Sequence, residues 1–358
     1  MQAFADRVIA WQRTHGRHDL PWQNTRDPYR IWLSEIMLQQ TQVTTVLPYY
    51  LRFLDAFPDV AALAAADIDA VLAHWSGLGY YRRAHHLHAA ARHVLGEHAG
   101  AFPCDAAALE ALPGIGRSTA AAIAAFSSGA RVAILDGNVK RVLARHAGIE
   151  GWPGAPKVEA VLWDAAVARL PEQAPDGAIE AYTQGMMDLG ATVCTRTQPR
   201  CGACPVNADC TAQREGRTNA LPSPRPVKVL PHRELRLLVI ERDGAMLFER
   251  RPATGIWAGL WSLPECALDD DVHAVVRARF AFDTVASGTL PPLQHGFTHY
   301  TLTLHPVRLA LAARAAPLVA AGAHLAWLTV EAAQAAGLPS PIRRLVRALD
   351  PAGFRLSA

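Results

Sequence analysis

The N-terminal part of the chain shows the spacing of apolar residues that is typical of helices. Up to about residue 212, apolar residues recur at i, i+3 and i+4 between Pro and Gly breaks, without β alternation. This pattern predicts a mainly helical domain over residues 1–215. Residues 216–233, GRTNALPSPRPVKVLPHR, are rich in Pro and in basic residues, which favours an extended, semi-rigid linker.

Beyond the linker the period of the pattern changes to two. The stretch HYTLTLHPV alternates apolar residues with Thr and His, and two apolar runs flank Asp243-Gly244 as in a β-hairpin. Helical stretches lie near residues 269–280 and 341–349. Residues 234–358 are therefore predicted to form an α+β domain.

Length and charge narrow the class of protein only slightly. The chain has 358 residues, of which 51% are hydrophobic, and this is enough for two domains with cores. No apolar run approaches the roughly 18 residues of a membrane span, and charges throughout the N-terminus argue against a signal peptide. These features predict a cytoplasmic protein. The net charge of +3 is too small to indicate a nucleic-acid partner by itself, although basic residues cluster locally.

Four of the six cysteines are close together in the sequence. They form a C-x6-C-x2-C-x5-C pattern in CTRTQPRCGACPVNADC, at Cys194, Cys201, Cys204 and Cys210. In a cytosolic chain four neighbouring thiols predict a metal site, and the spacing leaves both zinc and a [4Fe–4S] cluster open. The isolated Cys104 and Cys266 are expected to be small buried residues.

A Gly-rich turn, LPGIG at residues 112–116, precedes an Ala-rich segment, and Asp136 follows twenty residues later. Such a turn could cradle the pyrophosphate of a dinucleotide. The segment before Gly114 is an amphipathic helix pattern rather than a buried strand, and Thr119 replaces the third glycine of that motif. The dinucleotide interpretation is therefore set aside.

Four further stretches carry a family likeness: LPWQ at 20–23, WLSEIMLQQTQV at 32–43, GLGYYRRAHHLH at 77–88 and QGMMDLGATVCT at 184–195. Together with the LPGIG turn and the cysteine loop, they resemble the MutY-type adenine DNA glycosylases of the helix-hairpin-helix superfamily, over nearly the whole chain. The resemblance implies a mainly α glycosylase domain with a [4Fe–4S] loop at 194–210, bound by Cys194, Cys201, Cys204 and Cys210, followed by an α+β Nudix-like domain.

The same resemblance implies a function. The expected partner is double-stranded DNA that holds an adenine mispair, bound by a nucleoid-associated monomer, and the expected reaction is removal of adenine opposite 8-oxoguanine or guanine. Endonuclease III-type members carry after LPGIGR a lysine that forms a Schiff base and cuts the strand. Ser118 stands at that position, which implies little or no lyase activity.

Two carboxylates are the expected catalysts, because cleavage of an N-glycosidic bond needs a protonated leaving base and a stabilised oxocarbenium-like sugar. Glu35 lies among apolar residues, so burial should raise its pKa and make it the acid, although such a residue is often part of a structural pair. Asp136 precedes Gly137 and is expected both to cap a helix and to face the sugar as a carboxylate. The family pattern adds Asn138 beside it.

The family motifs also imply contacts with DNA. Flipping the adenine out of the duplex needs residues that insert at the mispair and a fitted pocket. The residues expected to insert are Gln40 and Tyr80, and the expected pocket residues are Trp22, Gln23 and Glu180. Some members carry Arg where this chain has Gln23. Further DNA contacts are expected from the turn and its neighbours, at Leu112, Pro113, Gly114, Gly116, Ser118 and Arg141.

The C-terminal half resembles the Nudix-like domain with which this family senses 8-oxoguanine. Recognition is expected at Phe297, Thr298 and His299, where the family commonly has Phe-Ser-His and where Thr keeps the hydroxyl. A working Nudix hydrolase is improbable, because the Arg-Glu and Glu-Glu pairs of its metal-binding box are missing from ECALDDDVHAVVRARFAF. The alternative function is an iron–sulfur repair protein that binds DNA without base excision, or a glycosylase for a different base.

Overall fold

The computed structural model describes residues 3–173, 175–226, 229–312 and 324–349. Residues 227–228 of the predicted linker, and 313–323 and 350–358 of the predicted C-terminal domain, lie outside the described residues. The chain divides into two compact units. The first comprises residues 1–50, 57–64 and 89–227, and the second comprises residues 51–56, 65–88 and 228–358. The domain limits predicted from the sequence, at 215 and 234, stay predictions.

Helices account for the regular structure of the described residues before 232, as the apolar spacing predicted. They are α1 (Phe4–His15), α2 (Pro28–Leu38), α3 (Val43–Ala56), α4 (Val60–Ala65), α5 (Ile68–Trp75), α6 (Arg82–Glu97), α7 (Ala106–Glu110), α8 (Arg117–Ser128), α9 (Gly137–Ala147), α10 (Pro156–Val167), α11 (Ala178–Asp188) and α12 (Thr211–Arg214). A π-helical turn, Leu189–Val193, extends α11.

The core of the first unit forms where helices approach closely. The Ala-rich α8 packs against α2, α7 and α11, and its alanines 120–125 are buried with Ile123. A Cβ on Gly185 of α11 would lie 2.8 Å from a methyl group of Val8 on α1, so this contact requires glycine. Small side chains therefore let α8 and α11 approach their neighbours, and α8 and α11 both carry residues of the candidate site.

The second unit is built on an eight-stranded sheet with helices α13 (Val272–Phe280), α14 (Val330–Ala335) and α15 (Ser340–Ala348). Its path runs β3-β2-β1-β7-β5, with β4 beside β1, β6 beside β7 and β8 beside β2. The strands are β1 (His232–Arg242), β2 (Ala245–Arg250), β3 (Trp261–Ser262), β4 (Glu265–Cys266), β5 (Thr284–Thr289), β6 (Leu293–Gly296), β7 (Thr301–Leu311) and β8 (Leu325–Thr329).

The long strands β1 and β7 run parallel, and the other pairings are antiparallel. The predicted hairpin joins β1 and β2: Asp243 and Gly244 have φ of 49° and 79°, as a two-residue turn between right-twisted strands requires. The buried side chains of Leu238, Ile240 and Leu247 contribute to the core of this sheet. The predicted α+β pattern is confirmed for the described residues.

Two expectations about local structure need correction. Cys104 is exposed rather than buried, because it lies in the irregular segment before α7, whereas Cys266 is buried as expected. The first part of the predicted linker is fixed to the first unit: Leu221 is buried, its carbonyl accepts a hydrogen bond from Arg145, and Ser223 accepts one from the amide of Gly151. No helix among the described residues is long and apolar enough to cross a membrane.

Candidate active site

A pocket of about 610 Å³ opens beside α2 and α11 in the first unit. This volume lies in the range of small-ligand sites. The pocket brings together four of the predicted site residues, although they come from three separate stretches of sequence. Among the residues that line it are Trp22, Gln23, Arg17, Arg26, Glu35, Glu180 and Gln184.

Glu35 reaches this pocket from the middle of α2. Its neighbours on the helix, Ser34 and Ile36, are buried, and Pro28 with the capping carboxylate of Asp27 starts the helix. Burial, and secondarily the negative charge of Asp136, raises the pKa of Glu35 to about 8. Glu35 therefore holds a proton at neutral pH, and a buried acid beside a pocket can deliver that proton to a ligand.

Asp136 is the N-cap of α9, as predicted. Its Oδ1 accepts a hydrogen bond from the amide of Val139 at 2.8 Å, and its Oδ2 accepts one from Nδ2 of Asn138 at 3.1 Å. Burial raises the pKa of Asp136 above its ordinary value, and the hydrogen bonds from Val139 and Asn138, with the charge of Arg141, offset part of that rise. Burial and the charge of Asp136 both raise the pKa of Glu35, so the proton is assigned to Glu35 and the negative charge to Asp136.

Ser118 supports the segment that leads into Asp136. Its hydroxyl oxygen accepts a hydrogen bond at 2.9 Å from the backbone amide of Leu135, the residue directly before the aspartate. Ser118, which stands where endonuclease III-type members are expected to carry lysine, thus has a contact of its own, which sequence reasoning did not predict. This contact fixes the backbone of a candidate catalytic group to α8.

The remaining walls of the pocket combine an aromatic face with charged groups. Trp22 is buried and packs edge-on against Tyr50, with ring centres 5.1 Å apart. Glu180, at the start of α11, accepts a hydrogen bond of 2.8 Å from Arg26. Most of the Glu180 side chain is buried. The residue lines the pocket, where its carboxylate can accept hydrogen bonds.

Sequence reasoning did not predict two of the pocket residues, Gln184 and Arg17. Gln184 lies one turn after Glu180 on α11, and its side-chain amide donates at 2.8 Å to the fully buried Asp188. Arg17 binds the same carboxylate through its backbone amide and its Nε. The i, i+4, i+8 spacing of the three α11 residues was the available signal, since that spacing places side chains on one helix face.

The LPGIG turn joins α7 to α8 as predicted. Gly114 has φ of +77°, a conformation that favours glycine, while the side chains of Leu112 and Ile115 are buried and fix the turn to the core. Gly116 caps α8, and a Cβ there would meet nothing within 4 Å, so its backbone faces open space. Exposed amides at a helix start suit a phosphate.

Gln40 and Tyr80 share an unusual backbone conformation, each described within its own unit. Both are exposed, and both have positive φ, of 58° and 50°. Positive φ is uncommon for residues other than glycine and costs free energy that the surrounding structure must offset. Each side chain is thus held outward at a strained position, which is consistent with the predicted role of inserting into DNA.

The four clustered cysteines line one small pocket next to α9. The buried Arg145 holds their loop, since its guanidinium donates to Sγ of Cys194 at 3.3 Å and to the carbonyls of Thr195 and Arg196 at 2.7 and 3.0 Å. Burial raises the pKa of Cys204 to about 12. Among the described residues, no three His, Cys, Asp or Glu side chains are arranged to hold a single metal ion.

Arg141 and Asn138 connect α9 to this cysteine loop. Arg141 donates to the carbonyls of Cys194 and Gly190, at 2.7 and 2.6 Å, and to Oδ1 of Asn138 at 2.8 Å. A Cβ on Gly190 would lie 2.5 Å from Cβ of Asn138, so only glycine allows this approach. The contacts of Arg141 lie within the protein, and its predicted contact with DNA stays a prediction.

In the second unit, the predicted recognition residues form a tight turn between β6 and β7. The amide of Phe297 donates to the carbonyl of Tyr300 at 2.9 Å. The Phe297 ring lies among those of Trp257, His295 and Tyr300, with centres 5.5, 4.6 and 4.7 Å away. Thr298 and His299 remain exposed at the tip. Phe297 anchors the turn, and the two polar side chains are free to meet a ligand.

Comparisons with known proteins place this geometry in a family. Residues 33–166 match the HhH-GPD superfamily of base excision DNA repair proteins, and residues 236–348 match the NUDIX domain. An adenine DNA glycosylase of Buchnera aphidicola (subsp. Acyrthosiphon pisum) is 32% identical over 96% of this chain and 96% of its own length. The adenine DNA glycosylase of Rattus norvegicus is 34% identical over 97% of this chain and 78% of its own length.

The chain belongs to the adenine DNA glycosylase family. It is therefore a DNA glycosylase. Its first part has the helix-hairpin-helix glycosylase fold and its second part a Nudix-like α+β fold, as predicted. A solved thermostable thymine-DNA glycosylase aligns with 59% of this chain and 95% of its own chain, at 28% identity and a TM-score of 0.53. The HhH-GPD match contains both Glu35 and Asp136.

Proposed function

We propose that this protein removes adenine paired with 8-oxoguanine or guanine in duplex DNA, by hydrolysis of the N-glycosidic bond. One observation carries the proposal: Glu35, whose pKa is raised to about 8 by burial and by the charge of Asp136, lies at a pocket large enough to admit a flipped base. Relatives named adenine DNA glycosylases support adenine as the substrate base.

In this proposal Glu35 donates its proton to the flipped adenine, at N7, which turns the base into a neutral leaving group. The electrons of the breaking N-glycosidic bond go to the base, and the sugar becomes an oxocarbenium-like cation. Asp136 stabilises that cation through its negative charge, and Asn138 keeps the carboxylate oriented. Water then adds to the sugar carbon and leaves an abasic site, and the proton that the water releases returns to the carboxylate of Glu35.

The pocket walls have the donors and acceptors that adenine requires. The ring of Trp22 offers an apolar face, and the carboxylate of Glu180 accepts from the exocyclic amine of adenine. Gln23 lines the same pocket, where some relatives have Arg, and its Oε1 accepts from the amide of Leu20 at 3.2 Å. Gln40 and Tyr80 insert at the mispair and keep the adenine out of the stack.

The sequence supports hydrolysis without strand cleavage. A Schiff-base lyase needs an amine near the sugar. The chain has only three lysines, Lys140, Lys157 and Lys228, and Lys140 is paired with Glu159 at 2.6 Å. At the position of the lyase amine, the hydroxyl of Ser118 is bound to the Leu135 amide.

The cysteine loop holds a [4Fe–4S] cluster in this proposal, through Cys194, Cys201, Cys204 and Cys210. Four thiols around one pocket, with a buried arginine beside them, fit an anionic cluster. Cys194, Cys201, Cys204 and Cys210 would each hold the cluster through a thiolate, and the bound cluster would supply a rigid anchor for the loop.

Recognition of 8-oxoguanine rests on the turn in the second unit, through the exposed Thr298 and His299, with Phe297 as anchor. Hydrolysis of a nucleotide pyrophosphate there is not proposed, since α13 (VHAVVRARF) contains no Glu. The partner is double-stranded DNA, bound through the Leu112–Gly116 turn, which includes Pro113 and Gly114, with Ser118 beside it. The protein acts as a cytoplasmic monomer on the nucleoid.

A single-turnover experiment tests the proposal. The full chain is incubated with a duplex that holds adenine opposite 8-oxoguanine, and strand breaks are measured with and without alkali. Breaks should appear mainly after alkali, and Glu35→Gln should abolish them, while Glu331→Gln, the same change at an exposed position of α14, should not. Breaks without alkali would contradict hydrolysis alone, and an inactive, cluster-loaded preparation would favour a DNA-binding protein without base excision.

A further inference from the structure

Two arginines flank the turn at residues 297–299 in the second unit, and nothing in the function proposed above uses them. Arg344 lies on α15, and its guanidinium donates to the carbonyl of Gln294 on β6, the strand that leads into the turn, at 3.4 Å. Arg233 lies at the start of β1, and its guanidinium carbon is 4.9 Å from the centre of the Tyr300 ring, which closes the turn on its other side.

Both arginines are exposed and lack an acidic partner. Among the described residues neither forms an ion pair within 4.0 Å, because Glu234, next to Arg233, is paired with His232 and His305 at 3.4 and 2.7 Å. The helix that carries Arg344, SPIRRLVRA, contains three arginines and no acidic residue. The cationic groups beside the turn therefore remain available to an external anion.

The contacts of the two arginines hold their guanidinium groups beside the turn: Arg233 lies over the Tyr300 ring, and Arg344 donates to the carbonyl of Gln294. Arg233 rests on an aromatic face, and such contacts position a guanidinium while leaving its N–H groups free for hydrogen bonds. Arg344 is held by α15, whose Ile342, Leu345 and Val346 are buried in the second unit. An arginine that is already oriented loses less conformational entropy when it binds a phosphate.

We infer that Arg233 and Arg344 bind the DNA phosphates that flank the base read by the 297–299 turn. The inference rests on the proposed recognition of 8-oxoguanine by this turn. A base presented to Thr298 and His299 carries phosphates on both sides, and guanidinium groups beside Gln294 before the turn and beside Tyr300 after it match them in charge. Phosphate contacts of this kind position the duplex without reading its sequence.

The salt dependence of binding tests this assignment directly. The full chain is titrated with a duplex that holds 8-oxoguanine opposite a non-hydrolysable adenine nucleotide, at several salt concentrations. Arg233→Ala and Arg344→Ala should each reduce the slope of log K against log salt by about 0.9, the value for one lost phosphate contact, and weaken binding about threefold to fivefold. Arg233→Lys and Arg344→Lys should keep most of the slope, because the charge remains.

The control is Arg277→Ala, which removes the same charge from an exposed arginine that is paired with Asp283 and should leave the slope unchanged. Circular dichroism and thermal unfolding show whether each variant is folded. Unchanged slopes in folded Arg233→Ala and Arg344→Ala would overturn the inference and point to a partner other than DNA. A wild-type protein that does not prefer 8-oxoguanine over guanine would instead overturn the proposed role of the turn.

Discussion

Burial raises the pKa of both Glu35 and Asp136, but hydrogen-bond donors offset part of this effect at Asp136. The carboxylate of Asp136 accepts from the Val139 amide and from the Asn138 side chain, whereas burial dominates the pKa of Glu35. Burial penalises the charged form of a carboxyl, and N–H donors favour it. The N–H donors therefore favour the charged form at Asp136 and leave the proton on Glu35, which is the division of roles that base protonation and cation stabilisation need.

The pH dependence of excision should follow the protonated form of Glu35. The single-turnover rate is expected to be level below pH 8 and to fall about tenfold per pH unit above it, since the pKa is raised from 4.5 to about 8. The free energy of unfolding should also depend on pH through the ionisation of Glu35. The stability that comes from the raised pKa is fully present below pH 4.5 and is lost as the pH rises through about 8.

The free energy of unfolding of Glu35→Gln, measured by urea unfolding at each pH, should therefore increase relative to that of the wild type as the pH rises from 5 to 9. The same variant should lose excision. Glu331→Gln serves as the control, because its carboxylate is exposed. A wild-type rate that rises through pH 8 to 10 would contradict the role of Glu35 as the acid.

Ser118→Ala should affect both stability and excision through the Leu135 amide. Loss of the hydroxyl leaves that backbone donor without its 2.9 Å acceptor, at a cost of about 1–3 kcal/mol. Excision should fall roughly tenfold because Asp136 follows directly, with a smaller change in DNA binding. Ser118→Thr keeps the hydroxyl and should restore most of the rate. Equal rates for Ser118→Ala and the wild type would show that the contact does not position Asp136.

At the scale of elements, the candidate site depends on how helix starts and turns are placed. Asp136 is held in position because α9 begins at Gly137, and the LPGIG turn stands at the start of α8, which begins at Arg117. The turn in the second unit follows the same principle, since Phe297 packs into an aromatic cluster and leaves the residues after it exposed.

Trp257→Ala should weaken the discrimination between 8-oxoguanine and guanine. The Trp257 ring lies 5.5 Å from Phe297 and 5.7 Å from His295, and such an aromatic pair contributes about 0.5–1.5 kcal/mol. The ratio of single-turnover rates on the two mispairs should therefore fall roughly threefold to tenfold, while the rate opposite guanine changes little. Trp257→Phe, which keeps a ring, should retain most of the ratio. A ratio unchanged in Trp257→Ala would mean that the cluster does not hold the turn.

At the scale of the whole molecule, the cysteine loop and the candidate catalytic helix are linked. Arg145 and Arg141, both on α9, bind the loop at Cys194, and the same helix starts at the cap formed by Asp136. A change in the loop is thus transmitted to the helix that carries the candidate catalytic carboxylate.

Cys204→Ser should lower the iron content and the midpoint of thermal unfolding together, because a bound group that stabilises only the folded state raises its apparent stability. Iron and sulfide analysis beside calorimetry measures both. Cys104→Ser, an exposed cysteine outside the loop, should change neither. Full iron content in folded Cys204→Ser would remove that residue from the ligand set.

The sequence alone determined the helical and α+β halves, the hairpin at Asp243-Gly244 and the cap at Asp136, because each follows from local periodicity or turn chemistry. Its motifs also named Glu35, Asp136 and the four cysteines. Only the tertiary structure showed that Arg17 and Gln184 share Asp188, that Ser118 holds Leu135, and that Cys104 is exposed. The contacts of Arg17 and Ser118 join residues 171 and 17 positions apart, and Cys104 is exposed in an irregular segment, so no local pattern encodes these features. The pair of Gln184 and Asp188, four positions apart on α11, did have a local signal in its helical spacing.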